Sequence, residues 1–293
     1  ATAELKAGQN DAAMADCQTL AESYDMDAET YYLTGCVALA MDSYDEASSN
    51  FTEAYGEDAT YDRAIQIYEA YLEKDMEADG TRYLEAALKT EPKSAEDYCD
   101  RGKVYYYMED YSNAQKELTE AVNQKSTEGM LLLGMVYRAQ DDTSNARSMY
   151  QQYVEADGSN PAKGYNGLAL CDMDDGSYDS ALDNISKGLE DASTEEMQDL
   201  LYNEIVVYEK KLDFATALSK MQDYIKMFPD DENAAKELTF LQSRNGELSN
   251  DTASDTTDSA DTETASDAST DTEDSTDSAD SSDGYDESDE EEY

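Results

Sequence analysis

The chain has 293 residues, enough for one large domain or two small ones on a prior of roughly 100–200 residues per domain. It carries 70 acidic residues against 20 basic ones, a formal charge of −50, and no histidine. Such a surface repels nucleic acid and anionic membranes, whose phosphates are held by clustered Lys and Arg, and the missing histidine removes the commonest general base and metal ligand.

Only 3 prolines occur and 24 tyrosines stand against 4 phenylalanines, in a background rich in Ala, Leu and Glu that favours helices. No stretch approaches the ~18 apolar residues of a membrane span. Cys17, Cys36, Cys99 and Cys171 are far apart and form no CxxC pair, so small buried side chains are expected rather than a disulfide framework.

From the amino end the body is periodic. "NDAAMADCQTLAESYD" (10–25) reads as the second half of a repeat, with Ala13, Cys17 and Leu20 as its apolar positions and "TAELKAG" as the remnant of the first half. "AETYYLTGCVALAMDSYDEASSNFTEAY" (28–55) is the first full copy. The stretch 61–92 is degenerate: Tyr68 stands where other copies have a small residue, yet Leu84, Ala87 and Pro92 are kept. "AEDYCDRGKVYYYMEDYSNAQKELTEAV" (95–122) then matches the first copy closely, Gly102 on Gly35, Tyr111 on Tyr44, and Ala114, Leu118 and Ala121 on Ala47, Phe51 and Ala54. Further copies follow at 127–154 (Leu133, Gly134, Tyr137, Ala146, Tyr150), 162–189 (Tyr165, Leu168, Ala169, Tyr178, Ala181, Ile185) and 199–229 (Tyr208, Phe214, Ala217, Met221, Tyr224). "DENAAKELTFLQSRNGEL" (231–248) has Ala234, Leu238 and Leu241 on one stripe and suits a capping helix.

This pattern resembles the tetratricopeptide repeat (TPR), a helix–turn–helix unit of about 34 residues. The resemblance covers residues 1 to about 244 and implies an all-α fold, a right-handed α-solenoid of about six and a half repeats with a capping helix, over a domain at 1–249. The small residues let paired helices approach closely, Gly35, Gly102, Gly134 and Ala169 from the first helix and Ala47, Ala114, Ala146, Ala181 and Ala217 from the second. Tyr44, Tyr111, Tyr178 and Phe214 would plug the junction just after the turn, and Pro92, Pro161 and Pro229 mark repeat boundaries.

TPR arrays bind partners in the concave groove of their successive first helices. Carried onto this sequence, the peptide groove would be lined by Tyr32, Cys36, Leu39, Lys103, Tyr106, Tyr107, Met135, Arg138, Lys163, Asn166 and Tyr202, with Ile65, Cys99, Leu131 and Leu170 beside them. In "VYYY" Tyr105 belongs to the stripe facing the partner helix, and Tyr106 and Tyr107, rotated by roughly 100° and 200°, face the groove. Lys103, Arg138 and Lys163 could hold a carboxylate, or the chain's own "DEEEY" end, or pair with neighbouring acids; the last is favoured. Chaperone-binding TPRs use a Lys, Asn and Arg carboxylate clamp, but only Lys163 and Asn166 fall near comparable positions here. "DMDDGSYD" (172–179) suggests a calcium loop, but Gly176 falls one place early and in an interhelix turn. With no GxSxG, phosphate-binding loop or Cys–His pair, no catalytic residue, metal or cofactor is expected, and the implied role is a noncatalytic protein-binding scaffold.

From residue 250 the composition changes. Residues 251–293 hold 18 acidic residues and no basic one, so this acidic Ser/Thr/Asp-rich tail cannot bury enough apolar surface to fold and is expected to be disordered. The alternative function follows from it: an envelope-associated, exported spacer protein whose tail binds cations or basic proteins. The chain opens at Ala1 rather than Met, and with its acidic surface and tail it resembles exported bacterial TPR lipoproteins; unpaired cysteines argue for a reducing setting, the cytoplasm being the alternative, though an anaerobic exterior also permits them.

Overall fold

In a computed structural model the chain divides into two units, Ala1–Gly246 and Glu247–Tyr293. The described residues are 1–156 and 159–255, without the side chains of Glu232 and 247–255, so the expected disorder of the tail concerns residues that lie almost wholly outside them. The described elements are all helical. After α1 (Thr2–Lys6) and α2 (Asn10–Ser23) come six hairpins: α3 (Ala28–Ala40) with α4 (Tyr44–Glu57), α5 (Tyr61–Leu72) with α6 (Glu77–Ala87), α7 (Ala95–Tyr107) with α8 (Tyr111–Asn123), α9 (Thr127–Ala139) with α10 (Thr143–Glu155), α11 (Pro161–Asp174) with α12 (Tyr178–Leu189), and α13 (Thr194–Lys210) with α14 (Phe214–Met227). Helix α15 (Glu232–Asp255) closes the series. Each hairpin packs on the next, and the first helices α3, α5, α7, α9, α11 and α13 also touch in succession, which makes the first unit an α-solenoid.

Local chemistry fixes where each helix begins. The side chains of Asp27, Thr60, Ser94, Ser126, Asn160 and Ser193 accept from a backbone N–H of the first turn of the helix that opens each hairpin. Ser94 with Asp97, and Ser193 with Glu196, complete reciprocal capping boxes. Within every hairpin the turn is made by one residue in the left-handed region, at Asp42, Asp75, Glu109, Asp141, Gly176 and Leu212, with φ from 57° to 70°. Only one of the six is glycine.

Close approach of the paired helices follows the small-residue pattern. A Cβ on Gly35 would lie 2.6 Å from the Phe51 ring, one on Gly102 2.5 Å from Leu118 Cγ, and one on Gly134 2.6 Å from the Tyr150 ring. Ala169 and Ile185, both in one buried cluster, hold the equivalent places in α11 and α12. The degenerate repeat solves the same problem from the other side. Tyr68 takes the small-residue place on α5, and Gly80 takes the alanine place on α6, where a Cβ would sit 2.9 Å from Tyr68 Cα. The void has changed helix, not disappeared.

Two expectations are corrected at the ends of hairpins. Tyr44 does not plug its junction; it is 47% exposed and donates to Asp42 Oδ1 at 3.2 Å, whereas Phe214 at the same place is buried because α15 covers it. In α2, Ala13 and Cys17 are buried but Leu20 is exposed. At the other end Ala234 and Leu241 of α15 are fully buried against Ile205, Phe214, Met221 and Tyr224, which is how a capping helix closes a solenoid. All four cysteines are free.

Candidate functional site

The first helices of neighbouring hairpins leave a groove between them. A cavity in it, about 510 Å³, is lined from α7 by Tyr106, from α9 by Leu131, Met135, Arg138 and Ala139, from α10 by Tyr150, from α11 by Ala162, Lys163, Asn166, Gly167 and Leu170, and from α13 by Glu195, Glu196 and Asp199. That size falls in the range of about 300–1,000 Å³ usual for ligand sites. A second cavity of about 470 Å³ continues it toward α15, sharing Asn166, Leu170 and Asp199 and adding Tyr202, Asn203 and Asn233. Asn203 donates to Asn166 Oδ1 at 2.8 Å across the two helices.

Of the residues expected in the groove, Tyr106, Met135, Arg138, Lys163 and Asn166 therefore meet in one cavity and Tyr202 lines the next. The amino-terminal ones do not form a continuation of it. Leu39, Ile65 and Cys99 are 1–2% exposed and belong to the interior. Tyr32 reaches from α3 onto α5, where the Arg63 guanidinium lies 5.0 Å over its ring and its hydroxyl donates to the Gln66 carbonyl at 3.5 Å. Half-buried Cys36 sits beside it, its thiol pushed up to about 11 by burial. Here the neighbouring repeat's own side chains fill the groove.

The three tyrosines of "VYYY" also divide differently from the helical-wheel expectation. All are half-buried. Tyr106 stacks obliquely on Tyr111 at 5.8 Å and turns toward the cavity. Tyr107 instead joins α7 to α5: its ring is 5.2 Å from that of Tyr68 and its hydroxyl donates to Glu69. Burial, reinforced by the Glu69 carboxylate, raises the Tyr107 phenol.

The three cations have unequal fates. Lys103 is spent on Glu69 at 3.7 Å and on the Tyr107 ring. Arg138 grips both oxygens of Asp174, at 2.7 and 3.3 Å. Lys163 makes no ion pair within 4 Å among the described residues and stands exposed at the cavity. The acidic run at 172–175 is likewise explained by pairing: nearly buried Asp172 accepts from Arg147 at 2.6 Å and from Asn184 at 2.7 Å, and Asp175 takes the other arm of Arg147 at 2.9 Å. These carboxylates stitch α11 to α10 and α12.

Two features of the site escape the sequence reading. Gly167 forms part of the floor because a Cβ there would press 2.6 Å from the Tyr150 ring; "GYNGLAL" shows the glycine, but Ala169 claims the small-residue role in the repeat register. The acidic wall on α13 is missed because that copy reads clearly only from Asp199, although "STEE" at 193–196 is a capping-box signature that marks the helix start.

Comparison with known proteins agrees with this architecture. Residues 99–161 match the family model described as tetratricopeptide repeat. Among solved structures, the chain is similar to a tetratricopeptide repeat protein from Parabacteroides merdae, with a TM-score of 0.58 and 15% identity over 82% of this chain and 95% of that one. It is also similar to IFIT1 with m7Gppp-AAAA, with a TM-score of 0.50 and 16% identity over 82% of this chain and 65% of that one. A chain of the APC/C hetero-tetramer Cut9-Hcn1 matches with a TM-score of 0.48 and 16% identity over 82% of this chain, which spans 47% of that chain's length. At such identities the likeness is one of fold. No curated protein matches the chain.

Proposed function

From the premise that residues 99–161 are tetratricopeptide repeats set in a solenoid of the same kind, we propose that the protein is a noncatalytic interaction scaffold that takes a peptide or helix in the groove between α7 and α13. The observation that carries this reading is the cavity itself: Leu131, Met135 and Leu170 give it an apolar floor, and Lys163, Asn166 and Asp199 put polar groups at its edge. An apolar hollow with a few convergent polar groups is the ordinary form of a recognition site. Met135, 38% exposed, is the adaptable contact such surfaces favour. Among the described residues no helix is long and apolar enough to cross a membrane.

Selection from a displayed library of random peptides tests the proposal. The full chain should enrich a consensus, and Met135→Glu combined with Tyr106→Ala should lose it while the circular dichroism of the helices is unchanged. Enrichment that survives the double substitution places recognition elsewhere. The acidic tail supports a second reading, because it carries 18 carboxylates without one base. Removing residues 256–293, which leaves α15 whole, separates the two: binding lost with the tail favours the tail, and binding kept favours the groove.

A further inference from the structure

The cavity between α7 and α13 has charges of both signs at its rim, and their state of pairing differs. Arg138 is committed to Asp174 by two hydrogen bonds and presents little free charge. Glu196 is committed to the α13 cap, accepting from the Ser193 backbone at 2.8 Å and from Asn160. The side chains of Glu195 and Asp199 make no hydrogen bond or ion pair among the described residues. The Asp199 carboxyl lies above its usual range, because partial burial penalises its charge and Glu195 and Glu196 add repulsion. Lys163 lowers it only in part. Three carboxylates thus share one free lysine, beside a floor that is apolar, in a body of 52 acidic and 20 basic residues.

Resting on the groove reading above, we infer that the occupant of this cavity is a peptide segment presenting a basic side chain next to an apolar one, the apolar group seated against Leu131, Met135 and Leu170 and the cation meeting Glu195 and Asp199. A carboxylate ligand would find Arg138 already spent and would face the α13 wall. A cation there gains charge-assisted hydrogen bonds with both free carboxylates and relieves their mutual repulsion. The surrounding negative field also speeds the approach of a basic partner.

Three fluorescein-labelled nonapeptides with an Ala/Ser background test this by anisotropy on the full chain: one with Leu beside Arg, one with Leu beside Glu, one with Ala beside Arg. The Leu–Arg peptide should bind about tenfold tighter than either other, and Glu195→Gln with Asp199→Asn should erase its advantage over Leu–Glu. Lys163→Gln should tighten Leu–Arg binding by removing a competing cation, which a structural role for Lys163 would not do. Preference for Leu–Glu, or loss of affinity on Lys163→Gln, overturns the inference and leaves the groove reading standing. Equal binding of Ala–Arg and Leu–Arg, unmoved by the groove substitutions, means attraction to charge alone and overturns the inference. No binding of any of the three also overturns the inference, while the library selection judges the groove reading separately.

Discussion

Residue-scale choices are most exposed at the hairpin turns. Six hairpins need one residue with positive φ, and the chain supplies aspartate three times, glycine once, and glutamate and leucine once each. Aspartate tolerates this region because its short side chain bonds locally; leucine has no such compensation and costs roughly 1–2 kcal/mol there. Leu212 has φ 61° and is 71% exposed, so its side chain returns little packing. Leu212→Gly should therefore raise stability by about 1 kcal/mol, read as a higher urea midpoint, and an unchanged or lower midpoint would show that Leu212 packs in solution. The sequence could not reveal this position as a left-handed one, since a lone leucine in "KLDF" carries no turn signature. It becomes visible only when Gly176 is aligned with it through the repeat register.

Helix pairing is the level at which the sequence was most legible. Gly35, Gly102 and Gly134 each oppose a bulky partner sixteen positions on, so the recurrence of small residues was enough to place the hairpins. The degenerate copy was legible as an anomaly but not as a solution, because Gly80 compensates for Tyr68 from the opposite helix. The same register brings Met135, Arg138, Lys163 and Asn166 of α9 and α11 to one cavity, whereas Leu39 and Cys99 are buried: register fixes a face, and whether a neighbour's side chain covers that face depends on packing. The joint of α13 with the capping helix adds a titration. Burial, and then the Glu237 carboxyl on α15, lift Glu209 from an ordinary 4.5 to about 7, with Lys210 opposing weakly. The folded state thus binds this proton more tightly than the unfolded chain. Its contribution to stability is complete below about pH 4.5 and is lost as pH rises through about 7. Between pH 5 and 8 the thermal midpoint should fall, and Glu209→Gln should flatten that fall; an unaltered slope in the variant would locate the proton elsewhere.

Across the whole molecule, charge is the dominant unspent term. A formal −50 destabilises the compact state by self-repulsion, which bridges such as Arg147 with Asp172 relieve in part. Raising salt shortens the screening length from about 30 Å at 0.01 M to about 8 Å at 0.15 M, which weakens long-range repulsion more than close, partly buried pairs. The unfolding midpoint should accordingly rise over that interval. A midpoint that falls would mean that surface bridges outweigh the repulsion. Composition announced this property at once, whereas it could not say which carboxylates are paired.

The turn residue that returns at the same place in every hairpin carries one more implication. Because that kink recurs in every hairpin, and a small residue opposes a bulky one at the same place in α3–α4, α7–α8 and α9–α10, a single hairpin is a cassette that can be repeated in register. Splicing in a duplicate of residues 127–160 behind the original should lengthen the array while leaving the contacts of α15 with α13 and α14 intact. Growth or shortening by whole cassettes is then the cheapest route by which such a chain could change its length.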